Sequence, residues 1–388
     1  MNSIIIITNN FPPIIDGVGD YSYNLFTHLK RETDYSAFII CSNKQKIKEY
    51  IQKENLEDQV FPIVEKWNIA DFIRIVRKIK SMKSKNVILQ YVPYSFSKKG
   101  IPFSIICLYI ILWLRGIKIS TFFHEIAVNR VNQPIHLKLL SFTQRSIAWC
   151  IAFLSHKKLT NSIFHQAYLK PFKSTVIPVG TNMVSEEFAP AENVSIENNS
   201  ISIFSFSNRI NKAIVEGVSK YQHISQKNIS WTIAGSAPES RLQWLKSNLP
   251  INQNGFCINI VGTIETNVLQ NIVENIQLIL HAEPEATEGV GGISTKNGSI
   301  ISAMALGKCI VGSKGLQTDT NYFKHLENVF LVSTNNSNEW FDALTTLVNS
   351  PSLVTKLSQE SYNTYKTFFK WNIITEKYLN VLSGKSGF

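Results

Sequence analysis

A glycine-rich loop between two apolar runs, within residues 278–313, holds the side chains whose types and spacing best suit ligand chemistry. Its glycines are Gly289, Gly291, Gly292 and Gly298. Glycine adopts positive φ and lets the backbone approach a ligand closely, and the helix predicted to begin at Ser299 offers unpaired N–H groups at its N-terminus. The loop also contains two hydroxyl donors and one cation, Ser294, Thr295 and Lys296. These features predict a phosphate-binding loop.

Acidic side chains in the same segment suit a different contact. Carboxylates accept hydrogen bonds, so three glutamates are candidates to bind the hydroxyls of a sugar: Glu283, Glu285 and Glu288. The alternative interpretation of the whole segment is a solvated glycine loop before a core helix, because a single phosphate-loop-like pattern is only a hypothesis.

Length and composition indicate the architecture. At 388 residues, 44% of them hydrophobic, the chain exceeds one ordinary core, and two domains are expected. The five cysteines are scattered without a CxxC pair, which argues against a zinc site or a disulfide framework and favours a reducing cytoplasm. The apolar run from Ile4 to Ile7 is short and lacks a preceding basic region, so we predict a buried strand and not a signal peptide.

Charge is distributed unevenly along the chain. Residues 1–182 contain 24 Lys+Arg against 11 Asp+Glu, whereas residues 183–388 contain 15 against 17. This asymmetry predicts an anionic partner for the first half, either a membrane surface with acidic lipids or a phosphorylated substrate. Nucleic acid is not expected, because the lysines at 78–85 lack the interleaved aromatic residues of a strand-stacking surface.

Short apolar runs alternate with helical patterns throughout the chain, which predicts parallel, doubly wound α/β sheets. In the first half the predicted strands are 3–8, 37–41, 60–64, 87–91, 117–123, 158–160 and 175–178. Pro62 would confine its strand to a sheet edge. In the second half they are 201–207, 230–236, 258–262, 278–282, 308–313 and 329–333.

A polar, proline-containing stretch near 179–191 is the predicted linker. The predicted domains are 1–182, with a C-terminal helix at 371–384 packing back on it, and 200–370. Ligands of open α/β sheets bind outside the carboxyl ends of the strands, so the cleft between two such domains is the expected site.

Residues 101–116 contain an uninterrupted apolar run from Ile105 to Leu114. It is too short to span a bilayer, which requires roughly 20 apolar residues. A buried core helix is one interpretation. The other is a helix with one face in the membrane interface and four cations at its ends contacting acidic headgroups: Lys98, Lys99, Arg115 and Lys118.

Six stretches, in this order along nearly the whole chain, resemble motifs of the retaining GT-B glycosyltransferases, of the glycosyltransferase family 4 type. They are NNFPPIIDGVGDYSYNL at 9–25, TFFHE at 121–125, IPVGTN at 177–182, SNRINKA at 207–213, IAGS at 233–236 and EGVGGISTKNGSIISAMALGKCIVGS at 288–313. The resemblance implies the GT-B fold, in which two Rossmann-like domains face a central cleft. It further implies that the first domain binds the acceptor and the second a nucleotide-sugar donor.

The resemblance also implies roles for particular residues. Sugar transfer from a nucleotide donor builds negative charge on the departing diphosphate, and fixed cations there lower the barrier. Arg209 and Lys212 are the cations expected to do so. His124 is expected to hydrogen-bond a sugar hydroxyl, with Glu125 holding its tautomer. Close approach or direct contact with the donor or acceptor is expected at Gly17, Gly19, Gly235, Gly292, Ser294, Thr295, Lys296, Gly298 and Ser299.

The family pattern contains two glutamates eight positions apart, the second just before a run of small residues. This chain lacks both glutamates. Here Ser302 precedes that run, Ala303–Ala305, and Ser294 lies eight residues earlier. The family's contacts to the ribose and to the donor sugar are therefore expected from Glu288 or Glu285 instead. A donor other than the commonest ones would fit this change.

These observations predict a cytoplasmic glycosyltransferase, peripheral on the inner membrane face, that transfers a sugar from a nucleotide-sugar to a glycan or lipid-diphosphate-linked acceptor. The resemblance implies retention of anomeric configuration, with the leaving phosphate accepting the acceptor's proton, and a role in bacterial surface polysaccharide biosynthesis. The sequence contains no aspartate-x-aspartate motif near a strand end, so no cofactor or required metal is expected. The alternatives are a non-catalytic sugar-nucleotide or glycan-binding protein, suggested by the missing glutamates, and a phosphorylase or epimerase on the same fold.

Overall fold

The computed structural model describes residues 3–84, 86–128, 133–184, 188, 190, 200–251, 253–264, 266–283 and 291–384. The chain divides into two compact units. The first comprises Met1–Val179 together with Trp371–Phe388, and the second comprises Gly180–Lys370. Each unit is built on its own parallel sheet.

The sheet of the first unit contains seven strands in the described part of the chain. They are β1 (Ser3–Ile7), β2 (Ser36–Ser42), β3 (Val60–Val64), β4 (Asn86–Tyr91), β5 (Lys118–Phe123), β6 (Lys158–Thr160) and β7 (Thr175–Val176). Their order in the sheet is β3-β2-β1-β4-β5-β6-β7. Ile4 to Ile7 are fully buried, as expected for a strand covered on both faces. β3, which contains Pro62, lies at the edge, where a residue without an N–H is tolerated.

Helices connect these strands. They are α1 (Gly17–Glu32), α2 (Gln45–Lys53), α3 (Ile69–Ser81), α4 (Pro93–Phe96), α5 (Ser104–Leu114), α6 (Ile135–Leu154) and α7 (Ile163–Tyr168). One hydrophobic core joins α3, α5 and α6 to β1, β4 and β5. The C-terminal helix of the chain, α14 (Trp371–Ser383), packs against α1, where Tyr21 Oη donates to Tyr378 Oη at 3.2 Å.

The sheet of the second unit contains six described strands. They are β8 (Ser200–Phe206), β9 (Asn228–Ala234), β10 (Phe256–Val261), β11 (Leu278–His281), β12 (Cys309–Lys314) and β13 (Phe330–Ser333). Their order is β10-β9-β8-β11-β12-β13. The helices are α8 (Lys212–Ser225), α9 (Glu239–Asn248), α10 (Thr266–Glu274), α11 (Gly298–Ala305), α12 (Ser337–Val348) and α13 (Pro351–Phe368).

The predicted fold class, two doubly wound parallel α/β sheets, is confirmed. Every predicted strand is present, and no strand end differs from its predicted position by more than two residues. Because all strands within a sheet are parallel, their carboxyl ends meet at one edge. That edge brings the residues after β8, β9 and β11 together in the second unit, and those after β4 and β5 in the first.

No helix in the described part of the chain combines the length and the apolar composition required to cross a membrane.

Candidate functional site

The strand-end site of the second unit begins with a short 3-10 turn, Ser207–Arg209, directly after β8. The backbone N–H of Ala282, just after β11, donates to the Arg209 carbonyl at 2.9 Å. On the other side, Arg241 of α9 donates to the Ser207 carbonyl from Nε and Nη2 at 2.9 and 2.8 Å, and to the Ile210 carbonyl. The turn that carries Arg209 is therefore held by the adjacent strand and by the partly buried guanidinium of Arg241.

Glu283 is the centre of a polar network at this edge. Its Oε2 accepts from Arg209 Nη1 at 2.7 Å, and its Oε1 accepts from His281 Nε2 at 3.0 Å and from Asn297 Nδ2. Its backbone N–H donates to Ser313 Oγ at 2.8 Å. Both carboxylate oxygens are thus engaged by protein donors. These hydrogen bonds position Arg209 and Asn297, and the expectation that Glu283 accepts from a sugar hydroxyl stays a prediction.

The electrostatics of the network keep Glu283 ionised. Burial acts to raise the pKa of its carboxyl, but the His281 hydrogen bond and the charges of Arg209 and Lys296 outweigh burial, and the net pKa lies below its ordinary value. Burial lowers the pKa of His281, whose side chain has no exposed surface, so the imidazole is neutral and donates through Nε2. The site therefore holds a fixed carboxylate beside a fixed guanidinium.

The N-terminus of α11 lies in the same network through Asn297. Asn297 is the N-cap of α11, and its Oδ1 accepts from the Ser299 backbone N–H at 3.0 Å while its Nδ2 contacts Glu283. The predicted helix start at Ser299 shifts to Gly298, and the Ser299 amide is occupied by the cap. Gly298 would meet no atom within 4 Å if it carried a Cβ, so the first residue of α11 borders open space.

The glycines of the loop serve backbone packing as well. Gly292 has φ +88, and a Cβ there would come within 2.2 Å of the Gly315 nitrogen. The Ile293 N–H donates to the Ser313 carbonyl of β12 at 2.8 Å. The Gln317 N–H, in the turn after β12, donates to the Gly291 carbonyl at 3.0 Å. Only glycine fits at this crossing, because two backbones touch.

The remaining predicted loop residues differ in exposure. Ser294 and Thr295 are buried, and Lys296 is partly exposed and adds positive charge near Glu283. Ser294 Oγ is buried with no hydrogen-bond partner. Ser302, where the resemblance implies a glutamate, donates from Oγ to the Gly298 carbonyl at 2.8 Å, and its Oγ lies 2.6 Å from Thr181 Oγ1.

Lys212 is the first residue of α8, three residues beyond Arg209. Its side chain is 78% exposed, and Nζ lies 3.6 Å from Glu216 Oε1. Asn211 caps the helix by accepting from the Ile214 N–H at 2.9 Å. Lys212 therefore lies near the end of β8, next to the turn that carries Arg209, and its side chain is exposed to solvent.

Gly235 follows β9 and has φ +121. A Cβ on it would lie 3.2 Å from Ser207 Oγ, and Ser207 Oγ donates to the Gly235 carbonyl at 3.3 Å. Gly235 is thus beside the turn that carries Arg209. Of the predicted residues, the structure brings together Arg209, Lys212, Gly235, Lys296, Gly298 and Ser299 at one edge of the second sheet.

In the first unit, His124 follows β5 and is buried among aromatic rings, with Tyr21 at 4.9 Å and Phe122 at 4.5 Å between ring centroids. Its Nε2 lies 2.7 Å from Gln90 Oε1 of β4. Burial lowers the pKa of His124 to about 3, so the ring is neutral and Nε2 carries the proton. The expectation that Glu125 holds this tautomer is wrong, because Glu125 is exposed and Gln90 takes that role.

Gly17 and Gly19 lie in the first turn of α1. A Cβ at Gly17 would meet nothing within 4 Å, whereas at Gly19 it would lie 3.1 Å from the Asn10 backbone. Asp16 caps the helix by accepting from the Gly19 N–H at 2.9 Å. The close Asn10 backbone therefore accounts for the glycine at position 19, whereas the space beside Gly17 at the start of the helix is open.

Two predicted site residues, Glu285 and Glu288, lie outside the described residues, as does Gly289. Among the residues that the structure describes, His, Cys, Asp and Glu side chains form no group of three or more that could hold a metal ion.

Sequence reasoning did not single out His281, Asn297, Arg241 or Thr181. A local signal existed for Asn297, which precedes Gly-Ser at a helix start, a common N-cap pattern. The others act through partners that are distant in sequence, such as Arg241 on the Ser207 carbonyl.

No protein-family model matches the sequence, and no curated protein sequence is significantly similar to it. Solved structures are similar in fold. A glycosyltransferase from Rickettsia africae superposes with a TM-score of 0.69 and 19% identity, covering 100% of this chain and 99% of that one. HepE of Anabaena, in complex with UDP, gives 0.68 and 13% identity over 99% and 100% of the chains. Sucrose-phosphate synthase from Thermosynechococcus elongatus gives 0.67 and 14% identity over 99% of both. The chain has the GT-B fold of these enzymes.

Proposed function

We propose that this protein is a glycosyltransferase whose second unit binds the diphosphate of a nucleotide-sugar donor at the strand-end site around Arg209. The observation that carries the proposal is the Arg209 guanidinium, held at the end of β8 beside the N-terminus of α11 by Glu283. A fixed cation next to a helix N-terminus favours an anion, and neither group has to reorganise on binding.

The comparisons support the same assignment. Anabaena HepE has this fold and was crystallised with UDP and with UDP-glucose. Lys212, on its exposed position after the Arg209 turn, supplies a second cation that can reach a ligand without loss of internal contacts. UDP is therefore the first nucleotide to test.

In the proposed reaction the bond between the anomeric carbon and the diphosphate oxygen breaks, and a bond from that carbon to the acceptor oxygen forms. The acceptor proton passes to the leaving phosphate, and configuration is retained. Arg209 and Lys212 stabilise the charge that develops on the leaving group. No metal ion or cofactor takes part in this proposal.

We further propose that the acceptor is a glycan or a sugar linked to a lipid diphosphate, bound by the basic first unit, and that the protein works in surface polysaccharide biosynthesis at the cytoplasmic face of the membrane. The 24 Lys+Arg against 11 Asp+Glu in residues 1–182 support an anionic acceptor. His124 supplies a neutral imidazole, which is suited to a hydroxyl and not to a phosphate.

The experiment is a thermal-shift screen against nucleoside diphosphates and nucleotide sugars. A ligand that binds only the folded state raises the melting temperature. We expect at least one of them to do so in the wild type and to give a smaller shift in Arg209→Ala. Nucleotide release from the stabilising sugar nucleotide then tests transfer.

A non-catalytic sugar-nucleotide or glycan-binding protein is the second candidate. Ser302 and Ser294 stand where the resemblance implies glutamates, and Ser302 is engaged with Thr181 and Gly298. A sugar nucleotide that stabilises the protein but is neither hydrolysed nor transferred would support this candidate over the enzyme.

A further inference from the structure

The exposed side of α6 is apolar, which reverses the usual pattern of a surface helix. Five large apolar side chains lie along it and are between 46% and 75% exposed: Ile135, Leu139, Phe142, Trp149 and Phe153. They follow one another at spacings of four, three, seven and four residues, which keeps them on one side of the helix, and the exposed Ser146 lies between Phe142 and Trp149. With a rise of about 1.5 Å per residue, this stripe is roughly 27 Å long. Such contiguous apolar surface on a protein marks an interaction site.

The buried side of α6 explains why the helix keeps this orientation. Ser141 Oγ donates to the Val128 carbonyl at 2.7 Å, and Gln144 Nε2 donates to the Gly100 carbonyl at 3.0 Å. Gln144 Oε1 also accepts from the Val128 N–H at 2.8 Å. Rotating the helix to bury its aromatic residues would break these buried hydrogen bonds, so the apolar stripe is held toward solvent.

The neighbouring helix extends this surface. α5 and α6 pack side by side and run in the same direction, because each leads into one of two neighbouring parallel strands. Three apolar side chains of α5 are 43% to 68% exposed: Ile110, Trp113 and Leu114. We name the exposed apolar residues of both helices the α5–α6 face.

Positive charge surrounds the α5–α6 face. Between Asp71 and Glu186 the sequence contains 17 Lys+Arg and a single acidic residue, Glu125. Exposed cations lie before α5, after it and on α6: Lys98, Lys99, Arg115, Lys118 and Lys138. A surface that is apolar at its centre and basic at its rim complements an anionic lipid bilayer.

The same charge argues against a second copy of the chain as the occupant. In a twofold interface the patch meets itself, so its cations would face one another with hardly any carboxylate to neutralise them. The two exposed tryptophans favour a bilayer as well. Indole rings prefer the boundary between headgroups and acyl chains, and Trp149 keeps its Nε1 bonded to the Tyr168 carbonyl at 2.8 Å while its ring is 46% exposed.

We propose that the α5–α6 face docks the protein on a bilayer that carries anionic phospholipids. Phe142, Phe153 and Trp113 enter the headgroup boundary, and the rim cations contact lipid phosphates. This inference rests on the proposed function in one respect, since it supplies the surface on which a lipid-linked acceptor would be reached.

The test is co-sedimentation of the full chain with vesicles of phosphatidylcholine alone and with 30% phosphatidylglycerol. The apolar variant is Leu139→Gln/Phe142→Gln/Phe153→Gln, and Ile224→Gln, a 61% exposed position on the second unit, is the matched control. The wild type and the control are expected to bind anionic vesicles. Because the variant replaces three apolar side chains that would leave water on docking, it should bind at least about tenfold more weakly. Melting temperature confirms that the variant folds.

A charge variant, Lys98→Glu/Lys99→Glu, gives an independent reading and should weaken binding to anionic vesicles without affecting folding. Absence of wild-type binding to either vesicle, or unchanged binding of the apolar variant, would overturn the proposal. So would light scattering that shows a wild-type dimer and a monomeric apolar variant. UDP thermal shifts on the same samples separate this proposal from the proposed function. If the wild type binds vesicles but shows no thermal shift with UDP, only the proposed function is overturned.

Discussion

The carboxyl ends of the strands can be compared between the two units, because the first six strands of each sheet follow the same order. In the first unit His124 lies at this edge among aromatic rings, and its pKa of about 3 keeps it neutral. In the second unit Glu283 lies at the corresponding edge beside Arg209, and its pKa is held below its ordinary value. The residue after β5 is a neutral ring among aromatic rings, whereas the residues after β8 and β11 form an ion pair.

This difference separates what topology decides from what side chains decide. Topology brings the residues after neighbouring strands together at one edge in both units. The chemistry then depends on which groups pack there. A neutral imidazole suits an uncharged hydroxyl, and a fixed guanidinium suits a phosphate. This difference supports the proposal that the first unit binds the acceptor hydroxyl and the second unit the donor diphosphate.

The largest expected effect concerns the strand-end site of the second unit. Lys212→Ala should lower the transfer rate by about a hundredfold or more, because a cation at the leaving group is lost in the transition state. Its melting temperature should match the wild type, since the side chain is 78% exposed and its contact with Glu216 is an exposed ion pair. Lys220→Ala on the same helix is the control. Near-normal turnover of Lys212→Ala would remove this residue from the site.

The second prediction concerns the stability of the ionic network. Glu283→Ala should reduce the free energy of unfolding at pH 7.5 by about 3 kcal/mol, because it leaves the donors of Arg209, His281 and Asn297 without their acceptor. Glu283→Gln retains an acceptor oxygen and should lose less. Urea unfolding followed by tryptophan fluorescence measures both. Equal free energies of unfolding for Glu283→Ala and the wild type would show that the network does not stabilise the folded state.

The neutral ring of His124 should respond to acid. The native state holds His124 unprotonated down to about pH 3, whereas the unfolded chain binds a proton near pH 6.5, so stability falls as the pH drops below 6.5. His124→Gln should lessen this loss by about 1 kcal/mol per pH unit between pH 6.5 and 5. Urea midpoints across that range measure it, with exposed His136→Gln as the control. Parallel profiles for His124→Gln and the wild type would contradict a buried neutral imidazole.

The smallest expected effect concerns Asp20, in the first turn of α1. Burial and the nearby Asp16 raise the pKa of its carboxyl to about 6, so the native state binds more protons than the unfolded state between pH 3.8 and 6. Above that window the ionised group lowers stability. Because Asp20 is partly exposed, Asp20→Asn should stabilise the protein by no more than about 1 kcal/mol at pH 7.5 and have no effect at pH 3.5. A melting temperature that falls at pH 7.5 would contradict this.

Much of the fold could be predicted from the sequence because strands buried on both faces are short, apolar and β-branched. Ile4 to Ile7 and Leu278 to Leu280 show the pattern, and the two parallel sheets follow from its alternation with helices. Pro62 even indicated an edge strand correctly. These signals are local, so no long-range contact had to be known.

The site was harder to predict because its contacts are distant in sequence. Arg209 and Glu283 meet through the register of β8 and β11, which no local pattern reveals. The partner of His124 shows the same limit. Alternate residues of a strand share a face, so His124 lies on the side of Phe122, whose neighbour in β4 is Gln90, and the adjacent Glu125 points elsewhere.

The most direct measurement of the central claim is titration calorimetry of nucleoside diphosphates, UDP first, against the wild type and Arg209→Ala. The guanidinium at the end of β8, fixed by Glu283, is the group that the account assigns to the diphosphate. We expect one binding site per wild-type chain and at least about a tenfold loss of affinity in Arg209→Ala, as for a charge-assisted hydrogen bond. Absence of binding by every nucleoside diphosphate, or equal affinity in the two proteins, would contradict it.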